Sequence, residues 1–352
     1  GSSLTALTLA KALVKENIYV DLVSLSKNKK IDDSRTIGIS RTNFEFINEN
    51  LVNIQKIVWS VKKIEIFTDN LKKEKVLNFE KKKEQLFSIL KNSKLHRLMS
   101  KNLSKNIFFK KIKFKKILLE TDKYNLIINT ENSNFLTRKF FSKNIIKTYN
   151  STAYTTIIKH EKISNKVAIQ IFTKKGPLAF LPISETETSI VYSIHKSKFD
   201  SIDEITDLIH KYNFKYKINK IKKLKSFDLK SFHLRSYYHK NILAFGDLLH
   251  RVHPLAGQGF NMTIRDIMIF LKIIKNKISL GLPLDQSINH EFQKKMRHKN
   301  LIFSTGIDLL HEIFNFERKL KSNILSKSIR FLGNKPSLNK IFVKIADKGI
   351  SL

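Results

Sequence analysis

The sequence reads as an α/β chain: buried strands with helices around them, a second region of β character, and helices towards the carboxyl end. Three observations predict this. Leu4, Leu7, Ala10 and Leu13 recur at helical spacing, and the apolar run 18–23 follows them as a strand. Between residues 150 and 237 four short runs, 154–160, 166–173, 178–183 and 189–194, are separated by turn chemistry such as Lys175-Gly176-Pro177. Finally, residues 242–245 form a short apolar run ending in Gly246-Asp247, and Ile264, Ile267, Met268, Leu271 and Ile274 then make a helical stripe.

The amino-terminal helix and strand fit a dinucleotide-binding unit, in which a Gly-rich turn enters the first helix so that a pyrophosphate meets the helix N-terminus. Gly1, Ser3 and Ala6 then occupy the three glycine positions of that turn, and only the first is kept. A packing-driven helix start is the other reading of the same residues. No strand precedes the turn, so the chain is expected to begin inside its own domain, a fragment short of roughly six to ten residues of strand. Ser24 stands where an acid usually binds the adenosine ribose.

Residues 33–40, DSRTIGIS, precede a helical pattern over 43–51. Residues 84–103 read as an amphipathic helix and 110–119 as a strand with a basic outer face. Residues 124–128 read as an apolar strand ending near Glu131-Asn132. In the β region, Phe172, Phe180 and Leu181 either line an apolar pocket or form plain core, and residues 214–218 alternate apolar with lysine as a further strand. Helices are expected over 285–299 and 303–314, with no chemistry assigned to residues 305–308.

The site is expected in residues 242–266. Glycine is scarce, 10 of 352 residues against a usual share of about 7%, yet Gly246, Gly257 and Gly259 fall close together. Gly246-Asp247 lies at a strand's carboxyl end, where open α/β sheets bind ligands, and Asp247 is placed to accept hydrogen bonds from hydroxyls. Pro254 and the turn Gly257-Gln258-Gly259 let main chain approach a flat ligand. The helix beginning near Asn261 aims free N–H groups at it. An anionic or electron-rich ring system fits such a site. Without a ligand, the same residues make a tight turn and a helix entry.

This succession, GD, a His, a Pro, GQGxN and a helix carrying RD, resembles the second flavin-binding motif of the FAD-dependent aromatic hydroxylases of the para-hydroxybenzoate hydroxylase type. Residues 231–266 look most like the ubiquinone-biosynthesis hydroxylases. Residues 33–40 resemble that family's D-x-R-x-x-x-L-S stretch, and residues 160–183 its substrate-domain core. Glu131-Asn132 is a poor version of its Asp-Gly motif.

The resemblance implies a Rossmann-like FAD-binding domain assembled from residues 1–70, 71–149 and 238–300. With it come a β-sheet substrate domain over 150–237 and a C-terminal helical segment over 301–352. It implies FAD as cofactor, NAD(P)H as electron donor, and hydroxylation of a polyprenylated phenol by O2 through a flavin C4a-hydroperoxide. Gly1 would meet the pyrophosphate, Arg35 the flavin region, and Gly246-Asp247 the ribityl hydroxyls. Gly257, Gln258, Gly259 and Asn261 would surround the ring system. Pro254 would present main chain on the substrate side. The alternatives are a flavin-free scaffold subunit of the same pathway and another flavoprotein of this fold, such as a prenyl reductase. A halogenase would show a lysine and tryptophan motif, which the single Trp59 does not support.

Composition adds limits. At 41% hydrophobic and 27% charged the balance is globular. No apolar run approaches the roughly eighteen residues of a membrane span. There is no cysteine, which excludes disulfides, thiolate metal sites and a cysteine nucleophile. His290, His298 and His311 lack ligand spacing, so no metal is expected. The net charge of +36 has two main readings, compositional bias or attraction to an anionic membrane surface. Nucleic-acid recognition modules are absent. The expected setting is cytoplasmic, peripheral on the inner membrane, beside other quinone-biosynthesis proteins.

Overall fold

All of Leu4–Val14 is buried, so the first helix is a core element and not a surface amphipath. The computed structural model describes residues 1–24, 33–69, 75–80, 85–113, 123–196, 201–253 and 257–319. In chain order the elements begin with α1 (Leu4–Val14), β1 (Val20–Ser24), β2 (Thr36–Ser40), α2 (Arg41–Asn50), β3 (Trp59–Val61), β4 (Lys63–Thr68) and β5 (Lys75–Glu80). They continue with β6 (Phe87–Lys91), α3 (Asn92–Leu103), β7 (Phe109–Lys113), β8 (Ile127–Asn129), α4 (Phe135–Phe140) and β9 (Asn144–His160). Then come β10 (Val167–Phe172), β11 (Pro177–Pro182), β12 (Glu187–His195), α5 (Ile202–Tyr212), β13 (Ile218–Ile221) and β14 (Lys225–Leu234). The last are β15 (Tyr238–His239), β16 (Ile242–Ala244), β17 (His250–Arg251), α6 (Gln258–Ser279) and α7 (Ser287–Lys319).

The expected α/β architecture is present. One body holds α1, α2, α3 and α6 around three small sheets: β1 parallel to β7, β16 parallel to β8 with β15 on its other side, and β6 between β2 and β3. Its core runs from Leu4 through Ile47, Leu95, Leu243 and Phe245 to Ile264 and Phe292. The other body is a nine-stranded sheet in the order β17-β14-β9-β12-β11-β10-β4-β5, with β13 also paired to β9. Strands β4 and β5 thus join this sheet, β4 lying parallel to β10.

Four local expectations are corrected. The helix expected over 84–103 begins only at Asn92, because Ser88, Ile89 and Leu90 are buried in succession as a central strand, where both faces are covered. Residues 214–217 are not strand: Asn213 Oδ1 accepts from the N–H groups of Lys215 and Tyr216 at 3.2 and 2.8 Å, a local turn that buries Tyr216. The two expected carboxyl-terminal helices are one, α7, continuous through Gly306. A helix unremarked in the sequence, α5, covers the large sheet. Ser201 Oγ caps it by accepting from Glu204 N at 3.2 Å, and Ile205, Leu208 and Ile209 pack on Phe180, Tyr192 and Ile158. Phe180 is therefore core. Of the strand expected over 110–119, residues 109–113 are seen, and the rest lies outside the described residues.

The two bodies meet through a small apolar cluster, Val61 and Ile89 on one side with Ala168, Ile64 and Leu181 on the other, and through polar contacts. Thr36 Oγ1 lies 2.8 Å from Ser189 Oγ, Trp59 Nε1 donates to Asn165 O at 2.6 Å, and Glu187 accepts from Lys91 Nζ and Lys222 Nζ, both at 2.8 Å. Burial pushes the Glu187 carboxyl up, but the hydrogen bonds and charges of Lys222 and Lys91 outweigh it and hold the group down at about 2. Among the described residues no helix is long and apolar enough to cross a membrane.

A carboxyl with a depressed folded-state pKa stabilises above its unfolded value and loses that contribution as pH falls through the folded one. Glu187→Gln should therefore lower stability at pH 7 by up to about 1 kcal/mol, since the partners are partly solvated. The gap to wild type should close between pH 4.5 and 2, which thermal unfolding across that range would read.

Candidate functional site

Strands β8 and β16 run parallel, with Ala244 opposite Asn129, and Phe245 N donates to Asn129 O at 2.9 Å. Their carboxyl ends therefore open together. Gly246 follows with φ +67°, and a Cβ there would lie 2.5 Å from Thr5 Cγ2, so the strand end sits directly on the first turn of α1. Asp247 comes next, with its side chain exposed beside that turn. Ser3 caps α1 through its own oxygen, which accepts from Ala6 N at 3.2 Å. Gly1 lies against Glu131: a Cβ on it would fall 1.7 Å from the carboxylate Oε1.

A second convergence joins residues 35–43 to the start of α6. Gly257 adopts φ 63° and ψ 29°, the left-handed region, and caps α6, which begins at Gln258. A Cβ on Gly257 would stand 3.6 Å from Gly38 N and 3.8 Å from the Phe87 ring. Gly38 is tighter still, its Cβ position falling 2.1 Å from Phe87 Cε1. Asn261, wholly buried, stitches the two segments. Its Nδ2 donates to Gly38 O at 3.0 Å and Gly257 O at 3.1 Å, while its Oδ1 accepts from Ser40 N at 2.9 Å and Asn43 Nδ2 at 2.8 Å.

The sequence-derived residues thus fall into distinct roles. Gly246 and Asp247 meet the amino end of α1, and Gly257 meets Gly38 on β2. Gly259 faces open space, with nothing within 4 Å of a Cβ built on it. Gln258 is buried, and its Oε1 accepts from Arg265 Nη2 at 2.9 Å. The side chain of Asn261 is engaged inside the protein and shapes the site from behind. Arg35 leads into β2 with its carbonyl accepting from Asn92 N at 2.9 Å and its side chain exposed. Pro254 lies outside the described residues.

Two further groups were not read from the sequence. His250 Nε2 lies 2.5 Å from Asp266 Oδ2, both buried, and Asp266 Oδ1 accepts from Asn300 Nδ2 at 3.1 Å. This fixes β17 to α6 and α7. Across β14 and β17, His233 stands in register with His250, and burial, then the neighbouring His250, hold its imidazole down at about 4. Sixteen and thirty-four residues of separation leave no periodicity by which sequence alone could link these groups.

On the large sheet, the hydroxyl of Tyr149 donates to Asp308 of α7, and the Tyr149 ring meets His253 edge-on at 5.0 Å. Burial pushes Tyr149 and Asp308 both above their ordinary values. Residues 305–308, given no chemistry above, thus supply one anchor between sheet and helix. Among the described residues no three His, Asp or Glu side chains gather as a metal site.

Comparison with known proteins places this geometry. A family model described as an FAD binding domain matches residues 166–279. The chain is similar to the ubiquinone biosynthesis monooxygenase COQ6 of Danio rerio, 25% identical over 234 residues, covering 54% of this chain and 48% of that protein. It is also similar to the 3-demethoxyubiquinol 3-hydroxylase of Escherichia coli, 27% identical over 154 residues, covering 42% of this chain and 39% of that one. The chain spans about half the length of the first curated relatives it matches.

Solved structures share the fold. For p-nitrophenol 4-monooxygenase PnpA of Pseudomonas putida the TM-score is 0.78 at 11% identity, over 99% of this chain and 98% of that one. For Klebsiella pneumoniae HpxO, complexed with FAD and uric acid, it is 0.75 at 9% identity, over 99% and 96%. The fold is thus one used by flavin-dependent oxygenases. The resemblance read from the motifs, to the ubiquinone-biosynthesis hydroxylases, is borne out by the relatives found.

Removing the Asn261 amide leaves several buried polar groups without partners, each costing about 1–3 kcal/mol. Asn261→Ala should lose about 2–4 kcal/mol in urea unfolding, relaxation offsetting part of the sum. Asn261→Asp, which keeps the acceptor, should lose less. Equal losses in the two variants would reject the acceptor half of this clamp.

Proposed function

We propose that this chain is an FAD-dependent aromatic-ring hydroxylase acting on a polyprenylated phenol in ubiquinone biosynthesis, with NAD(P)H as electron donor and O2 as oxidant. The observation that carries the reading is the open face of Gly259, where nothing stands within 4 Å of a Cβ position, beside the left-handed turn at Gly257. A planar ring needs main chain at van der Waals distance, and side chains at these positions would fill that space. The first turn of α1 beside Asp247 suits the remainder of a dinucleotide, with N–H groups for the pyrophosphate and a carboxylate for hydroxyls. The residues present therefore fit FAD.

Bound FAD would supply the oxygen chemistry, one atom of O2 passing to the ring carbon and the other leaving as water at the expense of NAD(P)H. The chain's own residues would bind, orient and exclude water. Gly1 and the start of α1 would lie by the pyrophosphate, Asp247 would accept from the ribityl hydroxyls, and Arg35 would lie over the flavin region. Gly257, Gln258 and Gly259 would cradle the ring with Asn261 holding them in place. Pro254 would offer its carbonyl to the phenol, orienting the ring carbon that reacts. The large sheet would close the other side, keeping water from the reactive oxygen. The proposed setting is a peripheral association with the inner membrane, among other quinone-biosynthesis proteins.

A second reading, a flavin-free subunit of the same pathway, is favoured by one observation. The Glu131 carboxylate lies at the entrance to α1, where it would repel a pyrophosphate.

The purified protein should show flavin absorption bands, and denaturation should release FAD. A hydrogen-bonding carboxylate contributes about a factor of ten or more to affinity, so Asp247→Ala should weaken FAD binding by roughly that factor. A protein that stays colourless with added FAD would favour the flavin-free reading.

A further inference from the structure

A cleft of about 460 Å³ opens between α1, α2 and α6. Its floor is apolar, with Ala12, Phe46, Leu51, Met268 and Leu271, and its rim carries Lys15, Lys272 and Lys275. The one acid there is Glu16, paired with Lys275 at 3.0 Å. Two helices end at the cleft, α1 at Lys15 and α2 at Leu51, and each carboxyl end brings about half a negative charge. Three ammonium groups outweigh Glu16 and both helix ends.

The α6 wall continues past the cleft. Leu271, Lys275 and Ile278 succeed one another at helical spacing, and the turn beyond, bent by Gly281 at φ +66°, carries Leu280 and Leu282. These three apolar side chains are 47%, 63% and 46% exposed, unusual values for large aliphatics gathered on one turn.

We propose that this cleft and turn form a docking surface for an anionic lipid bilayer. Leu280, Leu282 and Ile278 would enter the acyl boundary, while Lys15, Lys272 and Lys275 would meet phosphate or carboxylate headgroups and the apolar floor would accept acyl methylenes. Charge complementarity selects this occupant: an apolar tip ringed by lysines, on a chain of net charge +36, matches a surface that is anionic outside and apolar beneath. The exposed turn follows the carboxyl end of α6, whose 22 residues span about 33 Å, with Gly257 at the helix's other end. The proposal does not depend on the hydroxylase reading.

The test is co-sedimentation of the full chain with phosphatidylcholine vesicles, alone or with phosphatidylglycerol added. Wild type should partition onto the anionic vesicles, less so at high salt. K15Q/K272Q/K275Q should reduce that partitioning about tenfold or more, and L280S/L282S should reduce it at any salt. K211Q/K220Q/K223Q, on α5 and at β13 beside the large sheet, should change it by less than about threefold, with all variants checked for wild-type thermal unfolding. The proposal is overturned if wild type does not sediment with anionic vesicles, if the cleft variant binds as wild type does, or if the large-sheet variant loses as much as the cleft variant.

Discussion

The buried amide of Asn261 is the interaction on which the arrangement of this chain rests. It gives both its donors and its acceptor to four groups on two segments more than two hundred residues apart in sequence. A buried amide with all partners in place is directional where apolar packing is not, so it fixes position as well as proximity. Because one pair of its bonds ends on the carbonyls of Gly38 and Gly257, the backbone of both glycines is held face to face. A Cβ on Gly257 would already be in van der Waals contact with the Gly38 backbone.

The remaining contacts extend that fixed point outwards. Gly246 seats the end of β16 on α1, His250 and Asp266 tie β17 to α6, and Tyr149 and Asp308 tie the large sheet to α7. Between the two bodies a small apolar cluster around Val61, Ile89 and Ala168 is accompanied by polar contacts: a hydroxyl pair, an indole N–H and the Glu187 carboxylate with two lysines. Such joints specify an orientation while contributing little net stability, the reverse of the apolar cores on either side.

Much of this was legible in the sequence where local chemistry dictates local structure. The α1 stripe, the strand 242–244 and the Gly257 turn follow from periodicity and glycine placement, as do the four central strands of the large sheet. The resemblance carried by residues 231–266 reached the fold as a whole. What escaped needed tertiary knowledge. Ser88, Ile89 and Leu90 look helical in a lysine-rich context until a strand lies on either side of them. The Asn213 turn competes with an alternating pattern that favours a strand, and a side-chain acceptor decides it. Within the site, Asn261 was found but its task was not, because the partners that use up its amide lie in another part of the chain. Asp308 carried no signal at all, since its partner Tyr149 sits 159 residues away.

The contact between Gly38 and Phe87 has a consequence for how such a chain can vary. A methyl group at position 38 would overlap the Phe87 ring, so these two positions form a single volume shared between them. Enlarging the first requires shrinking the second. Descendants of this chain can move bulk across that seam from position 87 to position 38, but only by changing both residues. Each single step would pass through an overpacked or hollow intermediate. The packing behind the Gly257 turn is therefore inherited as a pair.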